Sequence, residues 1–156
     1  MGTGQKSIKV VPPSARKALN VLGAAVTSIV VGADTGGAYA MVEEASRPYA
    51  GPPRHMHHRE DEGFYVLEGE YEVHVGDQVI RATPGTFLFA PRGIPHTFQC
   101  VGTKPGRIQI TISPAGFEKF LEEVSELASA GSPDMEKVVA LARKYDLEIV
   151  GPPPGP

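Results

Sequence analysis

Residues 51–69 read GPPRHMHHREDEGFYVLEG. His55, His57, His58, Glu60, Asp61 and Glu62 crowd into the eight positions 55–62, and an apolar run follows and ends at Glu68-Gly69. In extended backbone, side chains alternate between faces, so His55 and His57 point the same way, about 7 Å apart at the backbone. Two imidazoles on one face can converge on one ion. Glu62 follows a short polar bend, at the head of the next strand, and can turn its carboxylate to the same point. His58 alternates away from His57 and falls outside such a cage. Neutral imidazoles with a carboxylate suit one divalent transition metal ion of borderline character: iron (Fe), nickel (Ni), manganese (Mn), cobalt (Co) or zinc (Zn).

A fourth ligand is expected from residues 85–100, GTFLFAPRGIPHTFQC. The bend Pro91-Arg92-Gly93-Ile94-Pro95 separates two apolar runs, 86–90 and 97–101, which reads as strand, tight turn, strand. His96 stands where the second strand begins, behind the backbone constraint of Pro95.

Together the two stretches resemble the paired motifs of the cupin superfamily. The first has His55, one residue, His57, four residues, Glu62, six residues, Gly69. The second has Gly85, five residues, Pro91, one residue, Gly93, two residues, His96. The fifteen residues between Gly69 and Gly85 are similar to the spacing in compact microbial members. Gly51 lies closer to the histidines than the family pattern has it, and Cys100 stands where the family commonly has Asn. The resemblance covers roughly residues 50–100, and the flanking strands and tail also look like small quercetin dioxygenase-like monocupins. It implies a jelly-roll β-barrel with His55, His57, Glu62 and His96 as metal ligands. The family's looser spacing would allow Asp61 in place of Glu62, with Glu60 a weaker competitor.

The 156 residues make one domain, large enough for a substantial core. Fifteen basic and 18 acidic residues leave a net charge of −3, which gives no reason to expect nucleic acid or an anionic membrane as partner. The single Cys100 cannot close an internal disulfide. Nothing near the start reads as a signal peptide and no run reaches the ~18 apolar residues of a membrane span, so the expected location is cytoplasmic. Eighteen glycines and 15 prolines favour many short strands over a helical bundle.

Four segments are expected: an N-terminal arm at 1–24, the barrel at 25–113, a helical pair at 114–148 and a Pro-rich, poorly ordered tail at 149–156. Within the arm, residues 6–11 (KSIKVV) read as a strand stopped by Pro12-Pro13, either at a sheet edge or reaching to a second subunit, and 14–20 are ambiguous. Strands follow at 25–31, 38–44, 64–67, 71–75, 78–82, 86–90, 97–101 and 107–113, nine or ten in all. Gly32 to Gly37 form a hairpin tip; it lacks the lysine and the strand-then-helix context of a phosphate loop. Tyr71, Val73 and Val75 share one face of their strand, and Ile108, Ile110 and Ile112 share one face of theirs. Phe64, Val66, Phe87, Phe89 and Phe98 are mostly core by default, and some of them must line the mouth of the barrel if it has one. Ser113-Pro114 and Ser132-Pro133 read as helix starts. Phe117, Phe120, Leu121, Val124 and Leu127 recur at helical spacing, as do Met135, Val138, Val139, Ala142 and Tyr145.

Four protein ligands leave one or two positions open on a five- or six-coordinate ion, the mark of a catalytic metal. The resemblance to quercetinase-like cupins implies an oxygen-dependent dioxygenase, an oxidoreductase acting on an aromatic or enolic small-molecule substrate. Glu62 would be both ligand and catalytic base. The alternatives are a metal-containing small-molecule-binding cupin without turnover, and a cupin isomerase. The latter would call for extra polar groups facing the metal. The family commonly pairs subunits through N-terminal strands, which implies a homodimer. Arg92 and His74 read as solvated, and Cys100 as a small filler.

Overall fold

A computed structural model describes residues 7–156. Eleven strands fold into two facing antiparallel sheets, with helices packed at the C-terminal side. The strands are β1 (Lys17–Val21), β2 (Ala24–Val30), β3 (Ala40–Ser46), β4 (His55–His57), β5 (Asp61–Glu68), β6 (Glu70–Val75), β7 (Gln78–Ala82), β8 (Phe87–Ala90), β9 (His96–Val101), β10 (Gly106–Ser113) and β11 (Leu147–Ile149). One sheet runs β1-β2-β3-β10-β5-β8 and the other β11-β4-β9-β6-β7. This is a jelly roll: from β3 onward the chain crosses between the sheets at every step except β6 to β7, and along most strands alternate residues reach the interior.

The period-2 pattern sets which residues those are. On β10, Ile108, Ile110 and Ile112 are buried; on β6, Tyr71 and Val73 are; on β5, Glu62, Phe64 and Val66 are. Phe98 and Cys100 add to the same core. Close approach is bought with glycine. A Cβ on Gly51 would collide with the Phe98 carbonyl, and one on Gly106 would lie 2.7 Å from the Tyr71 hydroxyl.

Several expectations need correction. Residues 7–12 form no strand; Ile8 and Val10 are exposed, and Lys6 lies outside the described residues. The first strand is instead β1, from the ambiguous stretch, paired with β2 in register Leu19↔Val26. Its leucine is the reason: Leu19 reaches the core, whereas residues 7–11 have no facing strand among the described residues. Phe87 and Phe89 are not core: they are 62% and 58% exposed on the outer face of edge strand β8, where Phe87 lies over Gly63. The tip between β2 and β3 is a hairpin connection as expected, carrying one helical turn, α1 (Gly32–Thr35).

Neither Ser-Pro pair opens a helix. Ser113 ends β10, and α2 (Phe117–Ser129) begins after Gly116, whose N–H donates to Glu118. The second helix, α3 (Met135–Lys144), is capped by Asp134 accepting from the Glu136 N–H at 2.9 Å. Phe117, Phe120, Leu121 and Val124 do form the buried stripe of α2, and Val138 and Ala142 that of α3. Beyond α3 the chain returns as β11 beside β4, Leu147 opposite His57. The tail is tied down: the Gln99 side-chain amide donates to the carbonyls of Pro154 and Gly155, and the Arg54 N–H to that of Pro152. Polar main-chain groups with fixed partners explain an ordered proline-rich end that composition alone does not suggest. Among the described residues no helix is long and apolar enough to cross a membrane.

Candidate metal centre

Both sheets contribute to one cluster. β4 presents His55 and His57, β9 presents His96 directly opposite His55, and β5 presents Glu62 from the facing sheet. The crossing between sheets takes only residues 58–60, so the histidines end one sheet and Glu62 begins the other. One ligand-capable atom from each of the four lies within 4.8 Å of the other three. His57, Glu62 and His96 are buried. The turn before His96 is tied to β4 by the Gly93 N–H donating to the His57 carbonyl at 2.7 Å, which holds the two histidine strands in register.

Each imidazole is oriented from behind. His55 Nδ1 lies 2.8 Å from the Pro53 carbonyl and His96 Nδ1 3.2 Å from the Ile94 carbonyl. His57 Nδ1 lies 3.2 Å from Glu60 Oε2, and Glu60 is itself buried. An acceptor at Nδ1 fixes the proton there and leaves Nε2 as the inward lone pair, the tautomer a metal ligand needs. The inward atoms are short of partners. Glu62 Oε2 sits 2.7 Å from His96 Nε2 and 3.4 Å from His57 Nε2, and the second contact does not meet hydrogen-bond geometry. His57 Nε2 is thus a buried nitrogen with no hydrogen-bond partner, a costly arrangement that a cation would relieve.

The electrostatics fit a cation as well. Burial, helped by the charges of His96 and His57, pushes His55 down to about 3 and keeps it neutral. Burial opposes charge on His57 too, but the Glu62 charge and the Glu60 contact outweigh it and raise His57 to about 9. Burial would likewise raise Glu62, yet His57 and His96 hold it well below the usual carboxylate range. The pocket therefore sets an ionised Glu62 beside a protonated His57, and a cation held by the cluster would displace that proton and take its place next to the carboxylate. The donor set, three imidazoles and a carboxylate, fits a divalent transition metal in chemistry and in number.

The competing carboxylates separate cleanly. Asp61 points outward and takes a two-pronged grip from the Arg92 guanidinium, at 3.1 Å on each oxygen. That pairing, with the Arg92 N–H, lowers the Asp61 pKa and occupies the turn residue read above as solvated. Glu60 serves His57 from outside, a supporting role that the sequence spacing did not reveal. His58 is half exposed and meets Glu148 at 2.9 Å. His74 pairs with Glu72 on the outer face of β6. Cys100 is buried and burial pushes its thiol up, as suits a filler.

The cluster opens into a cavity of about 1050 Å³ between the sheets, bounded by β1, β2, α2 and the 47–53 connection. His55 and Glu62 line it beside Phe64, Phe98, Phe117 and Ile110. The Phe117 ring stands edge-on to His57 at 4.4 Å, so the first turn of α2 walls one side of the centre. Aromatic walls with a few convergent polar groups are the usual make-up of a small-molecule site.

Residues 44–113 match the cupin domain family. No curated protein sequence matches the chain significantly. Among solved structures, KdgF from Halomonas sp. is similar at a TM-score of 0.62 and 19% identity, covering 72% of this chain and 99% of its own. The polyketide cyclase RemF from Streptomyces resistomycificus is similar at 0.58 and 24% identity, covering 69% and 80%. An RmlC-like cupin from Shewanella frigidimarina NCIMB 400 is similar at 0.62 and 22% identity, covering 72% and 96%. At these identities the likeness speaks for the fold.

Proposed function

We propose, from the premise that this chain carries a cupin domain on a cupin fold, that it is a metal-dependent dioxygenase acting on an aromatic or enolic small molecule. The observation that carries the reading is the placement of the His55-His57-Glu62-His96 cluster at the wall of a large apolar cavity. A divalent ion held by His55, His57, Glu62 and His96 would supply Lewis-acid chemistry at this end of the cavity. The chain's own residues do the rest. His55, His57 and His96 hold the centre, each braced at Nδ1. Glu62 Oε2, the inward carboxylate oxygen 2.7 Å from His96 Nε2, accepts the proton of the substrate hydroxyl. Phe64, Phe98 and Phe117 stack the ring system and exclude water, which strengthens every polar contact at the centre.

A second reading rests on the likeness to a polyketide cyclase: the same apolar cavity would suit ring closure of a polyketide without oxygen consumption. An isomerase of small polar substrates is less well supported, because the walls next to the cluster are Phe64, Ile110, Ile112 and Phe117. Oxygen uptake decides between these readings. Protein loaded separately with iron, nickel, cobalt, manganese and zinc is offered flavonols and other aromatic enols. Uptake with at least one metal, lost in Glu62→Gln, is the expected result. Folded, metal-loaded protein that consumes no oxygen with any of them removes the dioxygenase and leaves the cyclase or a binding protein.

A further inference from the structure

A second polar group lines the same cavity at another level of the barrel. Glu44 on β3 pairs with Ile108 on β10, whereas Glu62 on β5 pairs with Ile112 of that same strand. Four residues of β10 separate the two levels, about 13 Å along the barrel at the rise of a strand. Between them the interior is apolar: Val42, Phe64, Phe98 and Ile110.

Glu44 is 8% exposed. Its Oε1 accepts from the Ser46 hydroxyl at 3.3 Å, and Ser46 Oγ accepts from the Tyr71 hydroxyl at 3.1 Å. Its Oε2 has no hydrogen-bond partner among the described residues, while Glu44 and Ser46 both line the cavity shared with His55 and Glu62. The strand neighbours facing it, Val26 and Ile108, are apolar. The titratable groups facing it from the other sheet are Tyr71 and Cys100, both held in their neutral forms by burial. No lysine, arginine or histidine pairs with it among the described residues. Burial accordingly raises its carboxyl to about 7.

A barrel gains nothing in stability from such a residue. A buried carboxyl with one long hydrogen bond is worse than a hydrocarbon of the same shape. The spare oxygen at the cavity wall, with a hydroxyl relay behind it, is instead the construction of a site that reads a polar atom on a ligand. We propose that Glu44, braced by Ser46 and Tyr71, is a second substrate-binding residue that hydrogen-bonds a hydroxyl or carbonyl oxygen at the far end of an elongate polycyclic phenol. Its other end carries the enolic oxygen to the His-Glu cluster. The inference rests on the cavity being the substrate site proposed above, and it gives that site its length and its second polar anchor.

The test is binding, read apart from turnover. Metal-loaded protein is titrated with two flavonols, one carrying only the 3-hydroxyl and one carrying an additional hydroxyl on the pendant ring. Wild type should prefer the second by about 10-fold or more, the value of one buried hydrogen bond. Glu44→Leu should lose that preference and bind the plainer ligand at least as well. Glu44→Gln, nearly isosteric, should keep part of the preference but lose its dependence on pH through neutrality; it also covers the case in which the leucine variant fails to fold. Wild type with no preference, or a preference that survives in Glu44→Leu, overturns the assignment, as does a Gln variant with an unchanged pH profile. Failure of both ligands to bind wild type overturns it as well. A Glu44-dependent preference without oxygen uptake keeps the second anchor and removes the dioxygenase; uptake without preference does the reverse.

Discussion

Replacing Glu44 by glutamine should flatten the pH dependence of stability near neutrality, and the sign follows from burial. The folded-state carboxyl is raised from its ordinary 4.5 to about 7. Between those values the folded chain keeps a proton that the unfolded chain has released, so stability is lost as pH rises through the window. At about 1.4 kcal/mol per pH unit the full effect is about 3 kcal/mol, of which about 2 kcal/mol develops between about pH 5.5 and pH 8. Glutamine has no proton to lose. Urea unfolding of wild type and Glu44→Gln at several pH values within that range supplies the comparison. The histidine cluster titrates identically in both proteins and cancels in the difference. The gap in unfolding free energy should widen in favour of the variant by about 2 kcal/mol as pH rises. Two parallel curves would refute the reasoning: Glu44 would then be solvated or paired, and no longer a buried neutral acid.

Two further outcomes follow from the site and the packing. Glu60→Gln leaves all four candidate ligands in place but weakens the acceptor behind His57 Nδ1, so metal affinity, measured by competition with a chelator, should fall about 10–100-fold; an unchanged affinity would remove Glu60 from the centre. Gly51→Ala should lower the thermal midpoint sharply, because its Cβ meets a backbone carbonyl that cannot swing away; the expected loss exceeds about 2 kcal/mol, and a midpoint within error of wild type would show that the 47–53 connection has slack.

Much of this was legible because it is local. Alternation along 107–113 and 71–75 marks inward faces without knowledge of what they face, and the isoleucines of β10 and the Tyr71-Val73 pair are where that rule puts them. The same rule failed for Phe87 and Phe89. Hydrophobicity says that a residue prefers burial but not whether a layer exists to cover it, and β8 lies at a sheet edge with its outer face uncovered. Residues 7–11 likewise form no edge strand of this chain's sheets: a strand needs a neighbour, and the neighbour of β2 is β1. The Ser-Pro pairs are a local signal that tertiary packing overrode, since β10 runs on through Ser113.

The sequence by itself determined a fold of many short strands and, through the resemblance of its two motifs to the cupin pattern, the barrel and the set of candidate ligands. Spacings of two residues on a strand, and motifs separated by short turns, are properties of the chain that survive any packing. Only the tertiary structure decided which carboxylate turns inward. Asp61 and Glu62 are adjacent, so alternation sends one to Arg92 at the surface and the other to the histidines, and the pairing of β5 with β10 and β8 sets which. Glu60 behind His57, and the Glu44-Ser46-Tyr71 relay, join residues on different strands or across a bend. The Tyr71-Ser46 contact depends on register between segments far apart in the chain, and the Glu60-His57 contact on how the 58–60 bend turns from one sheet to the other; both are fixed only when the two sheets close on a common core.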